Sequence, residues 1–184
     1  LSEVGTLKVR GSSTEGRPKK AYNVEFQDAY GDDLDREVLG MPADSDWILY
    51  APYNFDRALL RNAFVYEVSN QLGMYAVRTR FCEVYLNSRR GTPLAQRSYQ
   101  GVYVLMEKIK RGRDRVDVER LLAKHHRRPD VSGGYILKID RLDPGDGGFS
   151  AGGQGLAHVF PKEDDRSSAQ LSFLRGHING FDRA

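Results

Sequence analysis

DRALLRNAFVYEVSNQLG, residues 56–73, is the stretch on which the fold turns. It opens on an acidic residue, carries Leu60, Phe64 and Val68 at helical spacing, and ends at Gly73, a residue suited to a helix C-cap. A helix is therefore expected from Asp56 to Gly73. Glu67 lies three positions past Phe64 and seven past Leu60, which puts a carboxylate within the stripe expected to face the core. A charge there needs a partner. Arg61, near the border of the same stripe, is one candidate, and a lysine from a neighbouring strand is the other.

On either side of this helix the chain alternates. Thr6 to Gly11 and Lys20 to Gln27 are predicted strands, because Tyr22, Val24 and Phe26 alternate with Asn23 and Glu25; Lys20 falls on the apolar face. Ser12 to Lys19, rich in Gly, Ser and Pro, makes the pair a hairpin with a polar loop. YGDDLD (30–35) predicts a turn that caps a short helical piece, and DWILYAP (46–52) a buried strand that Pro52 ends. Beyond the helix, Arg80 to Leu86 and Ser98 to Lys108 form a second predicted hairpin through NSRRGTPLAQR (87–97). Val116 to His125 predicts a helix and Gly134 to Asp140 a strand. RLDPGDGGFSAGGQG (141–155) reads as a Gly-rich loop before a short strand at Ala157 to Phe160, and a last helix starts at Ser167. A small antiparallel sheet with one inserted helix, followed by mixed elements, is an α+β arrangement.

Composition narrows the function. The 184 residues are 40% hydrophobic and 29% charged, a globular balance, and no apolar run approaches the roughly 20 residues of a membrane-spanning helix. No signal-peptide pattern opens the chain, so the compartment is not legible from its start. The single Cys82 excludes an internal disulfide and, with only four His, argues against a Cys/His zinc site; His125 and His126 are adjacent rather than a helical turn apart. A net charge of +3 and a pI near 9.0 suit anionic partners such as nucleotides. Nucleic acid is not the expected partner, because the ten Tyr do not interleave with the Arg-rich loops as a base-stacking platform would.

Five segments in order, KVRGSS with PKKAYNVEF, LGMPADSDWILYAP, LLRNAFVYEVSNQLG, QGVYVLMEKIKR and GGYILKIDR, resemble the CotH (spore coat protein H) kinase family over nearly the whole chain. The resemblance implies a divergent protein-kinase-like fold that uses ATP and Mg²⁺ to phosphorylate Ser or Thr of protein partners, such as coat or cell-surface proteins. It also implies a nucleotide-binding lobe to about residue 112 and the start of a second lobe from about 113 to 184. A spore-coat or cell-envelope setting rests on the family alone.

A kinase needs a polar loop over the phosphates, a strand lysine to hold them, a helix carboxylate to orient that lysine, and a strand leading to a backbone that reads adenine. The candidates are Gly11, Ser12 and Ser13 for the loop, Lys20 with Lys19 as its competitor, Glu67 for the carboxylate, and Met106, Glu107 and Lys108 for the adenine. The family's catalytic and metal-binding carboxylates are expected in a later Asn-Val-Asp-Gly stretch and a Trp-Asp-Phe-Asp stretch, and neither occurs in these residues. Phosphotransfer by this chain alone is therefore not expected, and the Mg²⁺ ligands are expected beyond Ala184. A kinase-like scaffold that recruits coat or surface proteins is the alternative.

Overall fold

A computed structural model describes residues 3–11, 15–87, 93, 95–140, 142 and 147–182. The chain divides into two compact units, residues 1–109 and 110–184.

The first unit is built on five antiparallel strands in the order β1-β2-β5-β7-β6. They are β1 (Val4–Arg10), β2 (Ala21–Gln27), β5 (Asp46–Tyr50), β6 (Thr79–Tyr85) and β7 (Tyr99–Glu107). Opposed residues of antiparallel strands share a face, so the alternation sorts the side chains cleanly. One face carries Val24, Phe26, Trp47 and Leu105, packed with Val38 and Met41. The other carries Ile48 and Met106, packed with Val77, Tyr50 and Tyr66. Trp47 is 1% exposed, and its indole N–H donates to the Asp44 carbonyl at 2.9 Å, which satisfies the one polar atom that this large side chain takes into the core.

β3 (Arg36–Val38) and β4 (Met41–Asp44) form a hairpin joined by Leu39–Gly40, both with positive φ (50° and 72°). The short helical piece expected after YGDDLD is absent. Asp28 instead accepts the backbone N–H groups of Tyr30 and Asp32 at 2.8 and 3.0 Å, an Asx-type turn that redirects the chain into the hairpin without a helical turn.

The inserted helix α1 spans Arg61–Gln71, five residues later than expected at its start. Leu59 has φ 61° and Asp56 Oδ2 accepts the Arg61 N–H at 2.7 Å, so residues 56–60 form a capping loop rather than a first turn. The expected inward stripe is also reversed. Leu60, Phe64 and Val68 are exposed, whereas Ala63 and Tyr66 turn inward, and Asn70 on the same side accepts the Ala76 N–H at 2.9 Å. A small residue, a Tyr and an Asn form the contact face, and this is why hydrophobicity alone picks the wrong side of the helix.

The second unit holds a three-stranded antiparallel sheet in the order β8-β10-β9, from β8 (Ile136–Lys138), β9 (Gly148–Ala151) and β10 (Gln154–Phe160). β9 lies inside the expected Gly-rich loop. α2 (Ser168–Phe181) covers the sheet with Leu174 against Phe149, Ala151 and Leu156. Ser167 caps α2 through reciprocal bonds with Gln170, as its position before the helix predicts. Residues 116–125, expected to be helical, are irregular. The carbonyls of Leu122 and His125 are taken by the buried Gln170 side chain at 2.7 and 3.0 Å, and a bond from outside replaces the helical ladder.

Candidate nucleotide-binding site

In the first unit the sheet brings the end of β1, the start of β2 and the end of β5 side by side. Arg10 pairs with Ala21, and the register that sets Tyr22 opposite Leu49 carries Ala21 alongside Tyr50, which itself pairs with Val104. Arg10, Ala21, Tyr50 and Val104 therefore form one row on the face that α1 covers. Gly11, with φ 92°, ends β1 in a conformation open to glycine at little cost and turns the chain into the polar loop. Ser12 and Ser13 lie outside the described residues.

The two lysines fall differently from the sequence expectation. β2 begins only at Ala21, so its alternation does not extend back to Lys20. Lys20 is half-buried and has no ion pair among the described residues. It is the Lys19 ammonium that reaches the apolar surface: Nζ sits 4.6 Å from the centre of the Tyr103 ring and donates to the Val102 carbonyl. Burial lowers its pKa from the usual lysine value, and the carbonyl and the π-face compensate part of the lost hydration. Tyr103 is itself pushed up to about 12 by burial, with Tyr22 beside it as a smaller cause.

Glu67 is exposed and accepts from Gln71 Nε2 at 2.9 Å. No described ion pair joins it to either lysine. The cause is topological: α1 lies on the Ile48 and Met106 face, whereas Tyr22, Val24 and Tyr103 point to the other. Glu67 instead lines a cavity of about 370 Å³ with Asn70, Val77, Arg78, Thr79 and Arg80.

At the far end of the site, Met106 sits in the ladder between Ile48 and Thr79, and Glu107 pairs with Trp47 while its N–H donates to the Arg78 carbonyl at 3.3 Å. Their backbone groups are engaged in the sheet, whereas Lys108, the third residue expected at the adenine, lies past the end of β7. Lys108 and Ile109 leave the ladder at the end of the first unit, and Lys108 Nζ is tied to Asp46 at 2.8 Å. The Glu107 side chain, fully buried, pairs with Arg78 at 2.6 Å.

Four polar residues that the sequence did not single out for the site, Arg10, Tyr50, Asp56 and Tyr66, are linked through the Tyr50 phenol. The Tyr50 phenol has a raised pKa, first from burial and then from Tyr66 and Asp56, opposed by Arg10. Tyr66, Asp56 and Arg10 are each close enough to act on the Tyr50 phenol. Asp56 is 8% exposed. The available signal was an arginine immediately before the loop glycine and an aspartate five residues before the helix proper. Among the described residues, no three His, Cys, Asp or Glu side chains come together as a metal site.

Comparison with known proteins places this geometry. The model of the family described as CotH kinase protein matches residues 7–178. No curated protein and no solved structure matches the chain. The matched span takes in the five-stranded sheet with its inserted α1 and nearly all of α2. By the extent of that match, the chain belongs to the CotH kinase family, a family of kinase-like proteins.

Proposed function

We propose that the first unit is the ATP-binding lobe of a protein kinase that transfers the γ-phosphate of Mg²⁺-bound ATP to Ser or Thr of protein substrates. The observation that carries the proposal is the order β1-β2-β5-β7-β6 with α1 inserted between β5 and β6, in a chain of the CotH kinase family. In such a lobe the turn after β1 covers phosphates, and the strand next to the edge leads to an adenine-reading backbone. Gly11, Ser12 and Ser13 take the first role, and Lys108 with Ile109 the second. Lys19 and Lys20 are both within the segment that enters β2, and either ammonium supplies positive charge to a triphosphate.

Mg²⁺ in a nucleotide site is held by one or two carboxylates plus phosphate oxygens. In this proposal the ion arrives with ATP, and among the described residues no three His, Cys, Asp or Glu side chains stand together to complete its shell. When bound, the metal neutralises charge on the transferring phosphoryl group. What this chain's own residues do is bind and orient the triphosphate.

A second reading, a scaffold that recruits other proteins without nucleotide, draws on the exposed stripe of Leu60, Phe64, Val68 and Leu72 on α1. Calorimetric titration of Mg·ATP into the chain and into Lys19→Ala and Lys20→Ala variants separates the two. Saturable binding weakened by one of the substitutions supports the kinase lobe; absence of binding by the parent chain supports the scaffold.

A further inference from the structure

A cationic stretch without a carboxylate lies in the second unit. Residues 120–128, RLLAKHHRR, hold four Arg or Lys and two His and no Asp or Glu, and α2, which packs beside the turn that follows them, carries Arg175 and His177 and no carboxylate either. The turn is held in place from both sides. The Val131 N–H donates to the Arg127 carbonyl at 3.0 Å, and the Tyr135 hydroxyl donates to the Val131 carbonyl at 2.9 Å. The Tyr135 ring lies nearly parallel to that of Phe173 on α2, with 18° between planes and 6.3 Å between centres, and Phe173 lies nearly parallel to His177 one helical turn on, at 9° and 5.8 Å. Arg128 comes over the Phe173 ring at 5.6 Å. These contacts fix the floor of an open cleft of about 340 Å³ lined by Arg128, Ser172, Phe173, Gly176 and His177.

We infer that this cleft docks an acidic segment of a partner protein, with one carboxylate side chain among Arg128, Ser172 and His177 and its neighbours along Lys124, His126 and Arg127. Every polar side chain that lines the cleft is a hydrogen-bond donor. A guanidinium meets an aromatic ring with its flat face, so its five N–H donors, which lie in its plane, stay directed past the ring. Among the described residues no hydrogen bond or ion pair takes the Arg128 donors. Lys124, His126 and Arg127 are exposed and likewise have no ion pair among the described residues. Asp130, the nearest carboxylate to Arg128 in sequence, lines a separate cavity with Glu119 and Arg120 and is paired with none of these cations. A cluster of like charges left without counter-charges repels itself, and an acidic partner relieves that repulsion.

Nucleic acid, the other anionic partner, fits less well. Base stacking needs exposed ring faces, whereas Tyr135 and Phe173 are half-buried and Arg128 already stands over Phe173. A carboxylate takes a guanidinium in two parallel bonds and asks for no ring face. The inference stands apart from the ATP-lobe reading, because every residue in it belongs to the second unit.

The test is fluorescence anisotropy of a labelled Glu octapeptide, with its Gln counterpart as blank, against the full chain and against Arg128→Gln, Arg128→Lys, Gly176→Glu and Lys8→Gln. Gly176→Glu sets a carboxylate in the cleft; a Cβ at this position meets nothing within 4 Å, and Glu is the better helix former, so the fold tolerates the change. Lys8→Gln removes one charge, as Arg128→Gln does, from an exposed position on β1 in the first unit. The expected result is saturable binding of the Glu peptide and none of the Gln peptide. Affinity falls about tenfold in Arg128→Gln, the weight of one charge-assisted contact, falls comparably in Gly176→Glu and falls less in Arg128→Lys. Lys8→Gln changes it by no more than about twofold, the effect of one distant screened charge. Equal losses in Lys8→Gln and Arg128→Gln would reduce the binding to net charge and overturn the inference. So would unchanged affinity in Arg128→Gln and Gly176→Glu, or a parent chain that does not bind the Glu peptide. A single-stranded oligothymidylate of equal length that binds more tightly, and is weakened by the same two variants, would assign the cleft to nucleic acid and overturn the inference as well.

Discussion

Arg78 holds Glu107 twice: its guanidinium pairs with Oε1 at 2.6 Å, and its backbone N–H donates to Oε2 at 2.9 Å. Glu107 is fully buried while the Arg78 side chain is 37% exposed, so loss of the pair weighs far more on the desolvated carboxylate than on the cation. The Tyr75 hydroxyl approaches Oε2 at 3.4 Å and adds little. The pair ties the start of β6 to the last residue of β7, directly before Lys108 and Ile109.

Breaking a buried pair from one side leaves a desolvated charge without its partner. Arg78→Met is therefore expected to cost about 3 kcal/mol of stability, while replacement of both residues by Met restores a large part of it. Chemical denaturation of the two single variants and the double variant closes the cycle; additive losses would show that the pair does not couple.

In the second unit, Gln170 is wholly buried and serves Ser167, Leu122 and His125 at once. Gln170→Leu keeps the volume but strands two carbonyls and an N–H, with an expected cost of about 2–3 kcal/mol. Gln170→Glu keeps the acceptor for Ser167 and loses both donors, so it too destabilises. Thermal denaturation of both variants checks this, and a neutral Gln170→Leu would contradict it.

Much of the first unit was legible because its strands obey the period of two. AYNVEFQ, DWILY and YQGVYVLME alternate or run apolar in a way that only a sheet satisfies, and the order of segments already placed one helix between strand pairs. The helix face was misread for a physical reason. α1 seats itself through Ala63, Tyr66 and Asn70, while Phe64, 67% exposed, looks outward. Hydrophobicity ranks the second set above the first, and nothing local reverses that ranking. The segment 116–125 failed similarly, because the bonds that displace its helix come from Gln170, some 45 residues away. Arg10 and Asp56 were readable only as a strand end and a helix start; that both act on Tyr50 is a product of register and a capping loop.

The β3–β4 turn stores conformational strain at Leu39, whose φ of 50° is one that glycine or asparagine adopts more readily. Leu39 is 55% exposed, and its contact with Arg80 is made by its carbonyl, which any residue retains. Leu39→Asn creates the Asn-Gly pair favoured in two-residue hairpins and is expected to stabilise the chain by about 0.5–1 kcal/mol. A lower denaturation midpoint in this variant would refute the turn assignment.

His158 gives the second unit a pH dependence. Its pKa is lowered from 6.5, first by burial and then by Arg166, with Glu163 opposing; Arg166 Nε donates to its Nε2 at 2.9 Å, which requires the neutral ring. The unfolded chain therefore binds a proton more readily than the folded one. The contribution of this group is fully present above pH 6.5 and is lost as pH falls through the lower folded value. Comparison of His158→Gln with the parent at pH 7.5 and pH 5.5 is expected to show a smaller acid-induced drop in melting temperature for the variant. Equal drops would remove His158 from the account.

The most direct test of the central claim is amide NMR of the chain titrated with a Mg²⁺-bound, non-hydrolysable ATP analogue. The account predicts saturable shifts confined to the first unit, at Gly11, Ala21 and Ile109, with the segment 110–182 largely unmoved. Shifts centred on the second unit, or none at saturating nucleotide, would contradict the assignment of the first unit as the ATP-binding lobe.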